Sequence, residues 1–339
     1  MKVLVTGSAG FICGYLVEEL LKCGHEVVGI DNYSKYGKIE KSYDHHRNYQ
    51  FYEADAKNTA IMKELASDCD QIVASAAMIG GISYFHQHAY DLLAENERIL
   101  ASTFDAAIWA HKNKNLKRII VISSSMVFES TSIHPTPEGD QFRSPPPVST
   151  YGFQKLSSEY FAKGAFEQYQ LPYSICRPFN CVGVGETRAL SDRDVLSGNI
   201  KLAMSHVVPD LIQKIEKGQY PLRILGNGNQ IRHYTYGGDL ARGIRMVMES
   251  ENAINEDFNL STAQSTTVLE LARTIWKQMK PDKKFQWESE KPYFYDVQKR
   301  IPNVSKAERV LGFKAETPLE AILKEVIPWV TDQIKKGIL

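Results

Sequence analysis

Val3-Leu4-Val5 runs straight into Thr6-Gly7-Ser8-Ala9-Gly10-Phe11-Ile12-Cys13-Gly14. A short, largely β-branched strand that ends in closely spaced glycines, then turns apolar at helical spacing to Lys22, leaves few folds open. It predicts a strand, a tight turn and a helix. Gly7 permits the turn, Gly10 lets the backbone approach an anion, and Gly14 lets the helix pack close to the sheet. The helix N-terminus then offers N–H donors and a favourable dipole to a pyrophosphate. The alternative reading is a glycine-rich turn with no ligand.

The pattern repeats along the first half. Glu26 to Ile30, Tyr49 to Tyr52, Gln71 to Ala74, Arg118 to Ile122 and Tyr173 to Arg177 read as further strands. Helical stretches at about Tyr90 to Lys112 and Thr150 to Gln170 lie among them. Continuous apolar strands alternating with helices indicate a parallel sheet covered on both faces. The expected class is α/β: a doubly wound, parallel Rossmann-type sheet with a smaller C-terminal α/β substrate lobe. With 339 residues there is room for two domains. We expect 1–180 plus about 232–262 to bind the dinucleotide, and about 181–231 with 263–339 to form the lobe. His206 to Lys217 and Thr266 to Met279 read as lobe helices, the second introduced by Ser265, Thr266 and Thr267. In the last helix, Pro318 to Lys335, Pro328 should kink it or split it in two. The stretch 183–200 is polar and irregular, and is expected to form a mobile loop over the substrate.

Composition narrows the function. The 40 Lys+Arg and 40 Asp+Glu leave a formal net charge of zero, so no general pull toward nucleic acid or anionic membrane is expected. Cys13, Cys23, Cys69, Cys176 and Cys181 are odd in number and scattered, which argues against a disulfide scaffold or zinc site. Cys176 and Cys181 read as small buried hydrophobes. A reducing, cytoplasmic compartment is expected. Gly and Thr break the N-terminal apolar run too early for a secretory leader, and no apolar stretch is long enough to span a bilayer. His45-His46 and His86-x-His88 lack partner ligands at convincing spacing, so no metal is expected. Trp276, Trp287 and Trp329 read as lobe-packing residues.

Asp31 ends the second strand, where a carboxylate accepts hydrogen bonds from an adenosine ribose and repels a 2′-phosphate. Asn32 and Tyr33 add no positive charge, and Lys35 is the nearest cation, so NAD is expected rather than NADP. Tyr151-Gly152-Phe153-Gln154-Lys155 places Tyr and Lys four apart on one helix face, where the cation favours ionised Tyr151. Ser123-Ser124-Ser125 lies at the C-terminal end of a buried strand, where parallel sheets place their ligands. A serine there can hydrogen-bond a substrate oxygen as it loses its proton.

Taken in order, these motifs resemble the extended short-chain dehydrogenase/reductase family, in particular its NAD-dependent nucleotide-sugar epimerases and dehydratases. Thr6 to Gly14 resembles the TGxxGxxG loop, with Phe11 and Ile12 beside the cofactor. Asp31-Asn32 resembles the ribose-binding pair, and Asp55-Ala56 the pair near the adenine. Ala76-Ala77 resembles the segment after the fourth strand, and Asn96 the family's structural Asn. Ser124 matches the catalytic Ser/Thr, with Tyr151 and Lys155 as the YxxxK pair. Arg177 to Asn180 resembles the RxxN leading into the lobe. Gly226 to Tyr234 resembles the segment in which Arg232 grips a substrate phosphate. Val304 to Phe313 resembles the C-terminal SKAxxxLG(W/F) element.

The resemblance implies that Tyr151 removes a proton from the sugar 4-hydroxyl, a hydride passes to NAD, and a 4-keto sugar forms. The fate of that ketone defines the subclass. Ser125 and Met126 stand where dehydratases carry a carboxylate pair, and the Cys acid of GDP-mannose 3,5-epimerase is missing. A 4-epimerase of a nucleotide-diphosphate sugar is therefore the first expectation. Ile79-Gly80-Gly81-Ile82 resembles the loop of the 3,5-epimerase and GDP-fucose synthase; the alternative is a simple turn. Lys201 or His206 would be the base if 3,5-type chemistry occurs, and Val207 follows at the substrate. Tyr293 stands where UDP-galactose 4-epimerase has a phosphate-binding Arg, with Asp296 matching the Asp after it. A GDP-sugar 3,5-epimerase-like enzyme, a 4-dehydrogenase and, remotely, a non-catalytic NAD-binding scaffold are the alternatives. Leu92 to Trp109 and Tyr160 to Tyr169 resemble the helices of the family's homodimer contact; packing on their own sheet is the alternative.

Overall fold

The computed structural model of the chain describes residues 1–79, 88–186, 195–197, 200–202, 206–292 and 297–339. Gly80, Gly81, His86, Tyr293 and Asp296 lie outside them. Lys201 is described in its backbone alone.

Seven parallel strands form the central sheet: β1 (Lys2–Thr6), β2 (Glu26–Asp31), β3 (Tyr49–Glu53), β4 (Gln71–Ala74), β5 (Arg118–Ile122), β6 (Tyr173–Pro178) and β7 (Glu256–Leu260). Their spatial order is β7-β6-β5-β4-β1-β2-β3. The chain runs outward from β1 to β3, then crosses back to β4 on the other side. The crevice above β1 and β4 is thus the topological switch point. All five residues of β5 are buried, as a strand covered on both faces requires. The seventh strand, at the edge beside β6, carries Asp257 and Asn259 and was not expected from its mixed pattern.

The helices among the described residues are α1 (Phe11–Lys22), α2 (Thr59–Ala66), α3 (Ala89–Asn113), α4 (Thr150–Tyr169), α5 (Val207–Glu216), α6 (Gly237–Glu249), α7 (Val268–Met279), α8 (Ser305–Leu311) and α9 (Leu319–Lys335). Leu16 and Leu20 of α1 pack with Leu240 and Ile244 of α6 on one face of the sheet. Phe104 of α3 and Ala162 of α4 pack on the other, with Leu4 and Ile72. Each fully buried Leu or Ile contributes roughly 1.5–3 kcal/mol. A third core joins α5, α7 and α9 through Ile212, Ile275 and Ile322, with Trp276 inside it and Trp287 and Trp329 against it.

Three expectations need correction. Residues 305–313 do not belong to the lobe: Ala307 and Phe313 are buried in the core of α1 and α6, so the C-terminal segment crosses back onto the sheet half. Pro328 does not split α9, which is one element. Pro328 and Lys324 are both exposed, so the carbonyl that loses its partner can be hydrated. Within 183–200 the chain is not irregular throughout, because Val195–Ser197 pairs antiparallel with Ile200–Leu202. The Thr267 cap is as expected, forming a capping box with Glu270.

Candidate active site

Thr6 closes β1 by donating to the Val73 carbonyl at 3.2 Å and accepting from the Ser75 and Ala76 N–H groups at 3.0 Å. Gly7 follows at φ +73°, where a Cβ would stand 2.9 Å from the Ala76 backbone. No side chain larger than glycine fits there. Gly10 begins α1, and no side chain caps that helix, so its leading N–H groups face outward for an anion. Asp31 accepts from Tyr33 N–H at 2.8 Å and Ala9 N–H at 3.2 Å. Burial raises its carboxyl above the ordinary range, and those two N–H groups oppose the rise. Asn32 donates to Asp55 at 3.3 Å. The sequence-read turn, carboxylate and Asp55 are therefore brought together at the C-terminal ends of β1, β2 and β3.

One glycine is misassigned by the sequence. Cys13, not Gly14, faces the sheet: it is buried and its thiol donates to the Thr6 carbonyl at 3.9 Å. A Cβ on Gly14 would meet only Lys41 Nζ and Tyr43 Oη at 3.7 Å, an ordinary contact. Lys41, which spacing did not single out, is the cation near Asp31; burial lowers its pKa and Asp31 opposes that.

At the end of β5, Ser124 caps a short 3₁₀ turn (Ser125–Phe128), accepting from Met126 N–H at 3.2 Å. It also lies near enough to the Tyr151 phenol to oppose the rise in that phenol's pKa. Tyr151 lies in the first turn of α4, which Ser149 caps by accepting from Gly152 N–H at 3.0 Å. One turn on, Lys155 donates to the Ile122 carbonyl at 3.0 Å. Burial pulls the Lys155 ammonium down to about 8 and pushes the Tyr151 phenol up, with Ser124 and then Arg300 opposing the second effect. Ala76, Ala77, Asn96 and Lys155 line a small cavity behind this pair. Asn96 is structural, accepting from Met78 N–H at 2.6 Å and donating to its carbonyl at 2.9 Å. Met126 and Leu92 are buried against Tyr151, with Val297 packed on the same cluster. Ser125 is also buried, and Ala56 sits in the core under the Asp55 turn.

The lobe side holds the remaining residues. Asn180 has φ +38°, and its carbonyl accepts from Thr235 N–H at 3.1 Å. Arg232 is buried on a short strand, Ile231–Arg232. His206 caps the start of α5 and pairs through Nδ1 with the buried Glu186, a partner the sequence did not suggest. Val207 packs on the lobe core.

Behind Ser124 lies a buried ion network. Arg177 is fully enclosed; its Nε and Nη2 donate to the Glu159 carboxylate at 2.7 and 2.8 Å, and Nη2 also reaches Asp257 at 2.7 Å. Ser123 donates to Glu159 at 2.6 Å, tying the network to the residue before Ser124. Cys176 is buried in the core as expected, whereas Cys181 is half-buried and packs against that core.

Comparison with known proteins agrees with this geometry. The model of the NAD dependent epimerase/dehydratase family matches residues 3–261. The chain is 27% identical over 331 residues to a putative UDP-glucose 4-epimerase of Methanocaldococcus jannaschii, covering 97% of this chain and 98% of that protein. A crystal structure of UDP-glucose 4-epimerase from Thermotoga maritima with UDP-glucose is similar at 27% identity and TM-score 0.80, covering 98% and 100% of the two chains. UDP-N-acetylglucosamine 4-epimerase from Methanobrevibacter ruminantium, in complex with UDP-N-acetylmuramic acid, is similar at 26% identity and TM-score 0.81, covering 98% of each. With the glycine turn, Asp31 and the Ser-Tyr-Lys set on one crevice, the chain belongs to the NAD dependent epimerase/dehydratase family of extended short-chain dehydrogenases/reductases and uses NAD as its cofactor.

Proposed function

We propose that this protein is a UDP-sugar 4-epimerase. The observation that carries the reading is the Ser124–Tyr151–Lys155 set at the switch-point crevice, with Met126 packed against it. Tyr151, as phenolate, accepts the 4-hydroxyl proton. Ser124 donates to the oxygen as it becomes a carbonyl. Lys155 offsets the phenolate charge from one helical turn away. Asp31 and the N-terminus of α1 would hold NAD, which would supply the acceptor and donor for the C4 hydride. Tyr151 then returns the proton once the sugar has presented its other face. Met126 and Leu92 supply no acid or base beside the ketone, so the geometry disfavours water elimination. The 27% identical relatives named for UDP-glucose support uridine as the nucleotide.

We also place α3 and α4 at a homodimer contact, since Phe153 and Tyr160 of α4 are 48% and 58% exposed. The five free cysteines suit a reducing, cytoplasmic compartment.

The test is incubation with UDP-glucose, UDP-N-acetylglucosamine and UDP-glucuronate in deuterium oxide, followed by anion-exchange separation and mass analysis. The expected product is a 4-epimer of unchanged mass, because the returned hydride never exchanges with solvent. Tyr151→Phe should reduce turnover by roughly 10²–10⁴-fold. A product carrying one or two deuterons would overturn the 4-epimerase reading in favour of proton abstraction beside the ketone, with His206 as the base.

A further inference from the structure

Tyr15 stands one turn after Phe11 on α1, and its ring reaches from that helix to the lobe. Its ring centroid lies 5.9 Å from that of Phe11 at 80° and 5.7 Å from that of Tyr236 at 70°, both edge-on. Tyr15 packs on the core of the sheet half and Tyr236 on the core of the lobe, so the second contact joins the two.

Two glycines make room for this ring. Cys181–Val182 pairs parallel with Thr235–Tyr236, so Gly183 and Gly237, the next residue on each chain, emerge side by side. A Cβ on Gly183 would overlap the Tyr15 hydroxyl, and one on Gly237 would stand 2.5 Å from Tyr15 Cε2. Neither glycine has a positive φ, so the ring, and not the backbone conformation, excludes a side chain at both.

Val184 N–H then donates to the Tyr15 hydroxyl oxygen at 2.7 Å. Gly185 follows, lying against Phe11, whose Cδ2 is 4.0 Å from the place a Cβ would take. Residues 183–186 thus form a strap across the head of α1. It ends at Glu186, which is buried and pairs with His206 at the start of α5. The head of α1 is also where the leading N–H groups would face a pyrophosphate. A strap fastened there stands in the way of a dinucleotide entering or leaving that seat.

We propose that Tyr15 is a positioning residue that pins the strap 183–186 across the head of α1 and so slows the exchange of NAD. The pin is made of contacts within the chain, so it is equally strong with NAD bound or absent. It therefore acts on the barrier to exchange and not on the affinity. The proposal concerns the cofactor and not the sugar, so it stands or falls apart from the 4-epimerase reading.

Wild type, Tyr15→Phe and Gly183→Ala would be loaded with radiolabelled NAD and chased with excess unlabelled NAD. The label left on the protein is followed by rapid desalting, and equilibrium dialysis of labelled NAD gives the Kd. Tyr15→Phe keeps the ring and both edge contacts but cannot accept from Val184. Its NAD release should quicken about tenfold, the worth of one hydrogen bond, with the Kd unchanged, so that entry quickens equally. Gly183→Ala, which displaces the hydroxyl instead of removing it, should do the same, and it serves if Tyr15→Phe fails to fold. In the double variant the two effects should not add, because they break one contact. Release at the wild-type rate in either single variant would overturn the proposal. So would faster release matched by an equal rise in Kd, since Tyr15 would then shape the bound state and not the path out of it.

Discussion

Lys155 Nζ donates to the carbonyl of Ile122 at 3.0 Å, so the cation of the YxxxK pair is tied to the strand that delivers Ser124. That bond holds the ammonium in a buried site where its pKa falls from 10.5 to about 8. Below pH 8 the lysine is charged in both folded and unfolded chains, and the folded state bears the desolvation cost, roughly 3 kcal/mol. The cost fades as pH rises from about 8 to the unfolded value of 10.5. Wild type should therefore gain stability relative to Lys155→Met across that window. Urea unfolding of both proteins without cofactor at pH 7 and pH 10.5 reads the difference. A gap that stays constant with pH would mean that the ammonium is not desolvated.

Arg177 and Glu159 are both fully enclosed, so each depends on the other. Glu159→Ala should destabilise the protein by about 3–5 kcal/mol, because it strands a buried guanidinium with only Asp257. Against the desolvation that would raise it, Arg177 and Lys306 hold the Asp257 carboxyl well below the usual range. Its contribution to stability is present above the ordinary carboxylate range and is lost as pH falls through its own depressed value. Asp257→Asn should flatten the acid limb of the stability profile. Denaturation midpoints from pH 7 downward decide this, and a loss under 1 kcal/mol for Glu159→Ala would refute the first claim.

Gly7 and Gly24 both have left-handed φ, +73° and +79°, but only Gly7 would press a Cβ against backbone. An alanine in that conformation costs about 1–2 kcal/mol by itself. Gly24→Ala should show that cost and keep NAD affinity. Gly7→Ala should weaken NAD binding at least tenfold as well, since Ala76 must move out of the crevice. Equal NAD affinities in the two variants would show that the close approach at Ala76 is irrelevant to the cofactor.

Much of this molecule is set by short-range pattern. The run from Val3 to Lys22 fixes strand, turn and helix, because glycine freedom and apolar periodicity act over a few residues. Tyr151 and Lys155 share a helix face for the same reason, and a strand as apolar as Arg118 to Ile122 must be interior. Met126 shows from sequence alone that no proton-transferring group follows Ser125.

What the tertiary structure decided are meetings between distant positions. Glu159 reaches Arg177, Asp257 and Ser123; His206 finds Glu186; Arg300 comes opposite Arg232. Even the Gly14 misreading has this origin, since which of two adjacent residues faces the sheet depends on how α1 is rotated, and Cys13 fills that place. Local periodicity is an energy of neighbours in the chain. Charge pairing and the crossing of 305–313 onto the sheet half depend on where the packed cores bring remote segments together, and no spacing within one segment encodes that.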